Sequence, residues 1–545
     1  ARAAACVVLG ALCATYPRRL GPGALGEARQ RLAKLAKNDA STKAAAARAL
    51  GRVVLASPDE GVTGVAPRPV QTQQHKQALV CSGKDCVSAL AKVLKGSDDA
   101  TCRKAAAASL RDVSQRAAEA SDRAVANLAA VVADAAETSK TAPAPAPAPP
   151  KKQGEKEPAP DDPVKRARST VDAALHLLDA LVETAARHLS DEDTLVRVHC
   201  GQAAGSALAA HVRCARATRE RFAATQNRAD EEKKPHDGAS PPRRLGSFPK
   251  MPQMMSSKNS TTEFAKRTSP VAKALSGGDG RGPTSADACA FVSSLMMRQV
   301  KSSSRAGVAG CGGCLASLLK SVEDEDLQAT IRAALAPLRG VPAEHPLHAT
   351  VRAAVADALR RGLGEVHERR QREVLSALLT LAGAVDRHAD DLKEKGRKLS
   401  DGELQVVLAE CAHLAAALGE AAAPEAEALE RAALSSASDP AFGVRCEAAA
   451  LGGALAAAVA GRAQPLATMA LRGASAEHHA LVDLASAPPA GAQARPRRSD
   501  AAQLLRGGMC ALHGGTALAS AVLRSSSGSS PSLLDEALAV AEGLV

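Results

Sequence analysis

A chain of 545 residues exceeds one ordinary domain, so several domains or one repetitive array are expected. Apolar residues make up 46 % of the chain but aromatic residues only 1 %, which excludes a core built around large rings and favours closely packed helices of Ala, Leu and Val. The net charge is +12, and residues 216–283 and 140–168 contribute +7 and +3 of it. A basic groove along the helices is therefore not indicated.

The cysteines and the ends of the chain bear on the compartment. Thirteen irregularly spaced cysteines, most of them inside apolar helical patterns, favour reduced thiols in the cytosol. The opening stretch, Ala1 to Leu20, can be read as a signal peptide or as a helix that stops near Pro17. Leu533 to Val545 ends within a helical pattern and the chain lacks an initiator Met, so we expect a fragment. The best candidate for a membrane span, Ala448 to Ala460, is too short.

Apolar residues at three- and four-residue spacing predict helices throughout the first helical block, residues 1–139. The predicted helices are Ala3–Thr15, Leu25–Lys37, Ser41–Ala56, Lys84–Leu94, Ala100–Ala118 and Asp122–Glu137, with a polar loop at 58–76. Strand signals are almost absent. Antiparallel helix pairs of this size cannot bury their apolar faces alone, so they are expected to stack as HEAT-like units.

Two low-complexity segments interrupt the helices. Residues 140–163 form a Pro/Ala/Lys linker that we expect to be extended and semi-rigid. Helical repeats resume over 164–224, as Val164–His188 and Thr194–Arg213. Residues 225–284, rich in Ser, Pro, Lys and Met, are predicted to be a disordered basic insert. Its Phe248 and Phe264 suit short linear motifs, and an insert without function is the alternative.

The last block, residues 285–545, is predicted to be a further run of helical repeats that is truncated at its C-terminus. A loop at Ala485 to Ser499 interrupts it. The predicted helices are Ala286–Val300, Arg305–Lys320, Asp324–Ala336, His348–Leu363, Val366–Ala389, Asp401–Leu418, Pro424–Ala437, Val444–Arg462, further helix after Pro465, and Ala501–Leu523.

One stretch recurs between the blocks: Ser190–Gly205 is repeated as Ser438–Gly453. In both copies an Asp lies six residues before an Arg, Val precedes the Arg, and a pair of small residues ends the stretch; the shared residues are Asp191, Val196, Arg197, Gly205, Asp439, Val444, Arg445 and Gly453. Looser copies are Asn38-Asp39 with Lys43 and Asp98-Asp99 with Arg103.

This recurrence predicts an architectural role for the repeated residues. The Asp suits the cap of a helix, whose first N–H groups lack partners, and the small residues suit close contact between helices. We expect the Asp and Arg residues to cap a helix and to link one repeat to the next. The sequence therefore predicts an all-α protein, an α-solenoid of HEAT/armadillo-like helical hairpin repeats with disordered inserts.

The most tempting chemical motif is Cys311-Gly-Gly-Cys314, because C-x-x-C can ligate zinc or carry out redox chemistry. No second pair of ligands lies near it in sequence, and a close-packing helix pattern surrounds it. Core packing is the expected role, and an enzyme would require both thiols to be exposed. Cys81 and Cys86 are similarly isolated.

Other candidate sites are weaker. The glycines at 307, 310, 312 and 313 follow no strand and lack a Gly-Lys-Ser/Thr ending, which argues against a phosphate-binding loop. His478-His479 and the pair His345 and His348 have no partner carboxylates and read as surface residues. The cluster Glu365 to Arg372 reads as a solvated helix face with i,i+4 pairs. We therefore predict no catalytic residue, no metal site and no cofactor.

Several segments together resemble a known family. Ala3-Ala-Ala-Cys-Val-Val-Leu-Gly-Ala-Leu, Thr194-Leu-Val-Arg-Val-His-Cys-Gly, Val444-Arg-Cys-Glu-Ala-Ala-Ala and Leu505-Arg-Gly-Gly-Met-Cys-Ala-Leu-His-Gly-Gly occur in an order similar to the N-terminal part of the HEAT repeat-containing protein five family, which includes plant SWEETIE. The resemblance covers most of the helical blocks and neither linker.

The resemblance implies a non-enzymatic, cytosolic scaffold for protein–protein interaction. It also implies association with the clathrin adaptor complex one, and with vesicle traffic between endosomes and the trans-Golgi network. Membrane association would then be peripheral and would occur through partners. The basic linkers suggest an alternative from another class, a ribosome- or RNA-associated HEAT scaffold in translation control. Stacking on nucleic acid is weakly supported, because Tyr16, Phe291 and Phe442 are the clear aromatics of the helical blocks.

Overall fold

The computed structural model describes residues 1–63, 82–141, 162–231, 270–275, 283–322, 327–383, 399–486 and 498–525. These ranges are helical and contain no strand. Stacked helical hairpins give an α-solenoid of the HEAT/armadillo type, so the predicted fold class is confirmed. The chain divides into two compact units, Ala1–Leu295 and Met296–Val545.

The first unit is a series of helices, and the connections between the first three are short. In chain order the unit has α1 Arg2–Thr15, α2 Pro17–Asn38, α3 Lys43–Ala56, α4 Asp59–Thr63, α5 Gly83–Gly96, α6 Ala100–Thr141, α7 Pro163–Ala186, α8 Thr194–Glu231 and α9 Pro270–Leu275, and α10 Ser285–Lys301 begins in it.

These helices form two layers. Helices α1, α3, α6 and α8 pack side by side in one layer, and α2, α5 and α7 form the other. Each hairpin crosses from layer to layer, as α2 with α3, α5 with α6 and α7 with α8. Two buried serines link the first layer, because the hydroxyl of Ser109 donates to the carbonyl of Ala47 at 2.8 Å and that of Ser114 to the carbonyl of Ala203 at 2.8 Å.

Small residues set the spacing within that layer. A Cβ added at Gly51 would lie 2.8 Å from Cβ of Ser109, and one at Gly10 would lie 2.9 Å from Cα of Ala49. Real Cβ contacts are not this short, so α3 approaches both neighbours more closely than a larger residue would allow. The helices thus pack closely through small residues, as the near absence of aromatic residues from the sequence predicted.

The second unit repeats this arrangement with its own helices. After α10 it has α11 Arg305–Leu319, α12 Leu327–Gly340, α13 His348–Leu359, α14 Glu368–Leu381, α15 Asp401–Leu418, α16 Ala426–Ala437, α17 Phe442–Ala458, α18 Ala463–Ser486 and α19 Arg498–Ser525. The odd-numbered helices from α11 to α19 pack in series as one layer. The hairpins pair α12 with α13, α14 with α15, α16 with α17 and α18 with α19.

The structure differs from the sequence prediction at α6, which is one helix of 42 residues where two were expected. The prediction ended one helix at Ala118 and began the next at Asp122. Instead, the Ser121 hydroxyl donates to the carbonyl of Ala118 at 2.7 Å and Ser121 is buried within the continuous helix. With no Gly or Pro nearby to stop it, the helix continues.

The predicted disordered insert, 225–284, is wrong at its edges. Helix α8 continues to Glu231, and Pro270–Leu275 forms the short helix α9, which contacts α7. Val271 and Leu275, four residues apart, are buried and give α9 its packing face. Residues 232–269 and most of the predicted linker at 140–163 lie outside the described residues.

A wide helical turn separates α13 from α14. Residues Arg360–Gly364 are π-helical, and the Glu365 N–H donates to the carbonyl of Arg360 at 3.1 Å, five residues back. Gly362 lies at the closest point, where an added Cβ would be 2.5 Å from Cβ of Leu319. The sequence predicted an ordinary helix from His348 to Leu363, because apolar periodicity does not register one extra residue in a turn.

Within the described residues, one helical stretch is long and apolar enough to cross a membrane by length and composition. It is Asp401–Ala437, with a mean hydropathy of 1.5 over its most apolar window, half of which is buried. The sequence had predicted no membrane span, with Ala448 to Ala460 as the most apolar run and too short to cross. A 3₁₀ segment, Gly419–Glu425, interrupts the stretch, and its two helices pack against neighbours on both sides.

Candidate functional site

Three arginines make the same contacts at the start of three helices. Arg103, Arg197 and Arg445 are each the fourth residue of their helix, α6, α8 and α17. The Nη1 group of each donates to the carbonyls six and five residues earlier: Arg103 at 3.0 and 3.1 Å, Arg197 at 2.7 and 2.7 Å, and Arg445 at 2.7 and 2.9 Å. We call this contact the arginine bracket, since it fastens the loop to the helix that follows it.

The aspartates of the motif do not cap the helix directly, as we expected from the sequence. Asp191 and Asp439 lie two residues before the N-cap, where Asp191 Oδ1 accepts the N–H of Asp193 at 2.9 Å and Asp439 Oδ1 accepts that of Ala441 at 2.8 Å. The cap of α8 is Asp193, whose Oδ1 accepts the Leu195 N–H at 2.9 Å. The motif aspartates therefore shape the loop, and the cap is a separate residue.

The two looser copies differ from each other. Around Arg103 the bracket is complete, and Asp99, in the place of Asp193, accepts the Thr101 N–H at 2.8 Å. That hydrogen bond is the main reason why the pKa of Asp99 is lowered. At the other copy Lys43 is the first residue of α3, so a bracket of the same register does not form.

Two ion pairs link the copy at α6 to the copy at α8. Arg103 Nε lies 3.3 Å from Asp191 Oδ2, and Lys104 Nζ lies 2.9 Å from Asp193 Oδ2. The Lys104 contact lowers the pKa of Asp193, and backbone N–H groups add to the effect. Consecutive basic residues on one helix thus hold alternate acidic residues of the next loop, and this links neighbouring repeats.

The copy in the second unit is linked to the next helix differently. Arg445 Nε donates to Nδ1 of His513 on α19 at 3.3 Å, and its guanidinium lies 5.7 Å from the centre of the Phe442 ring. The rings of Phe442 and His513 are 5.5 Å apart. A Cβ added at Gly453 would lie 3.0 Å from Oγ of Ser525, so α17 and α19 approach closely at the end of the motif.

The remaining motif residues are buried. Val196 and Val444 are fully buried, and Gly205 is buried in α8. The repeated aspartates therefore shape the loop, the arginines fasten it to the start of the helix, and the valines and glycines pack inside the fold. They do not converge on one pocket in either unit.

The Cys311 and Cys314 side chains are fully buried within α11. Burial raises the pKa of the Cys311 thiol to about 12, so the thiol is not ionised near neutral pH. Cys86 is also buried, and Cys81 lies outside the described residues. The neighbouring glycines are helical residues of α11 and do not form a loop.

The histidine candidates do not form a metal site. His345 Nδ1 accepts the Leu347 N–H at 3.1 Å, and burial lowers the pKa of His348. The rings of His478 and His479 are 5.9 Å apart on α18. No group of three or more His, Cys, Asp or Glu residues in the described ranges is arranged to hold a metal ion.

A cleft that sequence reasoning did not find lies between the end of α11, the π-helical turn and the start of α14. It has a volume of about 350 Å³. Its apolar lining includes Leu319, Leu363 and Val366, and its polar lining is Lys320, His367 and Arg370. The sequence signal was a basic cluster, Glu365 to Arg372, which we had read as a solvated helix face.

That reading is right for part of the cluster and wrong for Arg370. Arg369 and Glu373 form an exposed i,i+4 pair at 3.1 Å. The Arg370 side chain is 9 % exposed, and its Nη2 donates to the carbonyl of Val322 at 2.9 Å. His367 is the cap of α14, with its Nδ1 accepting the Arg370 N–H at 3.3 Å.

Buried carboxylates of the second unit are paired with arginines. Glu403, fully buried, receives two hydrogen bonds from Arg339 Nη2 at 3.0 and 3.1 Å. Glu410 is paired with Arg360 of the π-helical turn at 3.0 Å. Burial nevertheless raises the pKa of Glu410 above its ordinary value. In the first unit, His211 Nδ1 lies 3.0 Å from Asp179 Oδ1 in a buried pair between α7 and α8.

Charge is distributed unevenly along the helices. Residues 1–63 contain 10 Lys and Arg against 4 Asp and Glu, a net charge of +6. The helical part as a whole is close to neutral, so the remaining helices carry a net negative charge. On α3, Arg48 and Arg52 are exposed one turn apart. They make no ion pair with another described residue.

No family model matches the chain, and no curated protein matches it. Among solved structures, the chain is similar over 99 % of its length to importin beta crystallised in ammonium sulfate, with 12 % identity, a TM-score of 0.22 and coverage of 74 % of that chain. Importin beta crystallised in polyethylene glycol gives 11 % identity, a TM-score of 0.22 and coverage of 99 % and 82 % of the two chains. A structure of Kap95p with RanGDP gives 11 % identity and a TM-score of 0.23, with coverage of 94 % of this chain and 58 % of that one. The fold assignment rests on the helix contacts described above.

Proposed function

We propose that the chain is a non-enzymatic HEAT-repeat scaffold for protein–protein interaction. The observation that carries the proposal is the linked series of repeats, in which arginine brackets fix the loops before α6, α8 and α17, and Arg103 with Asp191 joins two consecutive hairpins. Such a series holds the outward rows of its helices in fixed positions, which suits the binding of extended partners. The most tempting nucleophiles, Cys311 and Cys314, are buried in helix contacts.

The partner class that we propose first is clathrin-adaptor subunits and their accessory proteins. Its support is the order of the small-residue and Val-Arg segments, which resembles the HEAT repeat-containing protein five family. We place the protein in the cytoplasm, peripheral to the trans-Golgi network, endosomes and vesicles, and expect it to reach membranes through these partners.

Affinity capture with purified adaptor complex one tests this partner class. The 545-residue chain is the bait, and a second adaptor complex of similar size and charge is the matched control. We expect retention of adaptor complex one and release of the control. Equal retention of both complexes, or of neither, would remove the trafficking part of the proposal and leave the scaffold part to other partners.

The second candidate function is an RNA- or ribosome-associated scaffold. Two observations favour it: the net charge of +6 in residues 1–63 and the +5 of residues 232–269, which hold 8 Lys and Arg against 3 Asp and Glu. The informative deletion is 232–269, because residues 216–231 continue α8. Salt-sensitive RNA binding that this deletion abolishes would support the candidate, and binding that survives it would refute a role for the insert.

A further inference from the structure

The cleft between α11, the π-helical turn and α14 combines two kinds of lining. Leu319, Leu363 and Val366 provide an apolar side, while Lys320, His367 and Arg370 provide hydrogen-bond donors. No carboxylate is among the described residues that line it. The chemistry of the cleft therefore favours a ligand with an apolar body and a negative charge.

The donors are held in different ways. Arg370 is fixed, because it donates to the carbonyl of Val322 at 2.9 Å and to Glu373 Oε2 at 3.1 Å. His367 accepts a backbone N–H through Nδ1, which leaves its Nε2–H to donate. Lys320 is exposed and makes no ion pair with a described residue. Lys320 thus places a positive charge at the rim.

The size of the cleft narrows the choice of ligand. A volume of about 350 Å³ is near the lower limit of small-ligand sites, which is enough for one or two side chains of a peptide. Nucleic acid is disfavoured, because no Phe, Tyr or Trp side chain is among the described residues that line the cleft. An inorganic anion would leave the apolar side unused. Buried anchor side chains of this kind often dominate protein interfaces.

We propose that this cleft binds an acidic, apolar segment of a partner protein. One Leu-like side chain lies against Leu319, Leu363 and Val366, and a neighbouring Asp or Glu carboxylate lies against Lys320 and His367. The inference rests on the proposed scaffold function and specifies the chemistry of one partner. The π-helical turn contributes by carrying Gly362 close to Leu319 and placing Leu363 in the lining.

Fluorescence polarisation with the 545-residue chain tests the proposal. The probe is a fluorescein-labelled peptide, Gly-Glu-Asp-Leu-Glu-Gly, and two control peptides replace either Leu by Ser or every acidic residue by its amide. We expect saturable binding that weakens about tenfold with either control peptide. Absence of saturable binding at about 1 mM probe would overturn the proposal.

Three variants locate the site. Lys320→Glu reverses the rim charge and Val366→Phe fills the apolar side, and each should weaken the probe about tenfold. Lys301→Glu, an equal charge change at an exposed lysine outside the cleft, should bind as the wild type does. If Lys301→Glu weakened probe binding as much as Lys320→Glu does, or if the Leu-to-Ser peptide bound as tightly as the probe, binding would be nonspecific charge attraction and the proposal would be overturned. Circular dichroism checks that Val366→Phe folds, and Lys320→Glu alone decides the outcome if it does not.

Failure of the cleft and failure of the scaffold function give different results. If adaptor capture succeeds and the probe does not bind, the cleft proposal is wrong and the scaffold function stands. If the probe binds with the expected variant pattern and no protein partner is captured, the cleft is a peptide site and the adaptor assignment is wrong.

Discussion

Arg103 at the start of α6 lies 3.3 Å from the carboxylate of Asp191 in the loop before α8, while its Nη1 donates to two carbonyls of its own loop. One guanidinium therefore fastens the loop that it follows and contacts the next repeat. Asp191 has a matching double role, since its other oxygen accepts the Asp193 N–H. The link between these repeats depends on both residues together.

Replacing Asp191 separates its two roles. Asp191→Asn keeps an oxygen for the Asp193 N–H and loses the charge that faces Arg103, so we expect a loss of about 0.5 to 1 kcal/mol in the free energy of unfolding. Asp191→Ala also loses the loop hydrogen bond, worth about 1 kcal/mol more. Urea unfolding followed by circular dichroism measures both changes. A double-mutant cycle with Arg103→Met should show coupling, and additivity would mean that the ion pair does not link the repeats.

Arg445 tests the bracket in the second unit. Arg445→Met removes both hydrogen bonds to the carbonyls of Asp439 and Pro440, and we expect a loss of about 1.5 to 3 kcal/mol in the free energy of unfolding. The matched control is Arg506→Met, at an exposed arginine of α19, with little expected change. Similar losses in the two variants would show that the bracket adds nothing beyond an ordinary surface arginine.

The sequence predicted where the repeated loop lies, but not the hydrogen-bond partners of its Asp and Arg residues. The recurrence of an Asp and an Arg six residues apart correctly predicted that α8 and α17 begin near these residues. Their partners could not be read from the spacing: the arginine reaches carbonyls, and the cap of α8 is Asp193. Every residue has a backbone carbonyl, so the sequence does not indicate which carbonyls accept the hydrogen bonds of the arginine.

The two central residues of the Cys-Gly-Gly-Cys motif should respond oppositely to alanine. A Cβ at Gly313 meets nothing within 4 Å, so Gly313→Ala should stabilise α11 by about 0.5 to 1 kcal/mol. A Cβ at Gly312 would lie 3.0 Å from Cβ and the carbonyl oxygen of Ala354, and this crowding should cancel or reverse the gain. Thermal unfolding of both variants decides; equal stabilisation would mean that α11 and α13 separate at no cost.

Glu410 makes the stability of the second unit depend on pH in an unusual direction. Burial raises its folded-state pKa above the ordinary 4.5, so the folded state binds the proton more tightly than the unfolded state does. Its contribution to stability therefore grows as pH falls through the folded-state pKa and levels off below 4.5. The difference in unfolding free energy between wild type and Glu410→Gln should change in the wild type's favour over that window. A difference that is constant with pH would contradict the prediction.

Cysteine accessibility tests the burial of the C-x-x-C motif. Brief alkylation with iodoacetamide at about pH 8 should modify the exposed Cys446 and leave Cys311 and Cys314 unmodified. Peptide mapping by mass spectrometry reads the result, and alkylation in urea provides the control for reactivity of the unfolded chain. Modification of Cys311 or Cys314 as fast as Cys446 in the native protein would restore redox chemistry as a candidate function.

The cleft could not be predicted from the sequence, for a geometric reason. Val366 and His367 follow the π-helical turn by two and three residues, in the non-helical connection before α14, and one extra residue in that turn changes the direction in which the connection leaves it. The density of charged residues from Glu365 to Arg372 predicted a solvated face that included Arg370, whereas Arg370 is buried and donates to the carbonyl of Val322. Apolar spacing predicts which residues are helical, but it does not predict where a helix changes its pitch.

The ring contact between Phe442 and His513 has a spectroscopic consequence. The chain contains no Trp and a single, exposed Tyr16, so its intrinsic emission reports little about folding. Phe442 is 61 % exposed, and its ring lies 5.5 Å from that of His513 across the contact between α17 and α19. Phe442→Trp would thus introduce one fluorophore whose emission follows the opening of that helix pair alone.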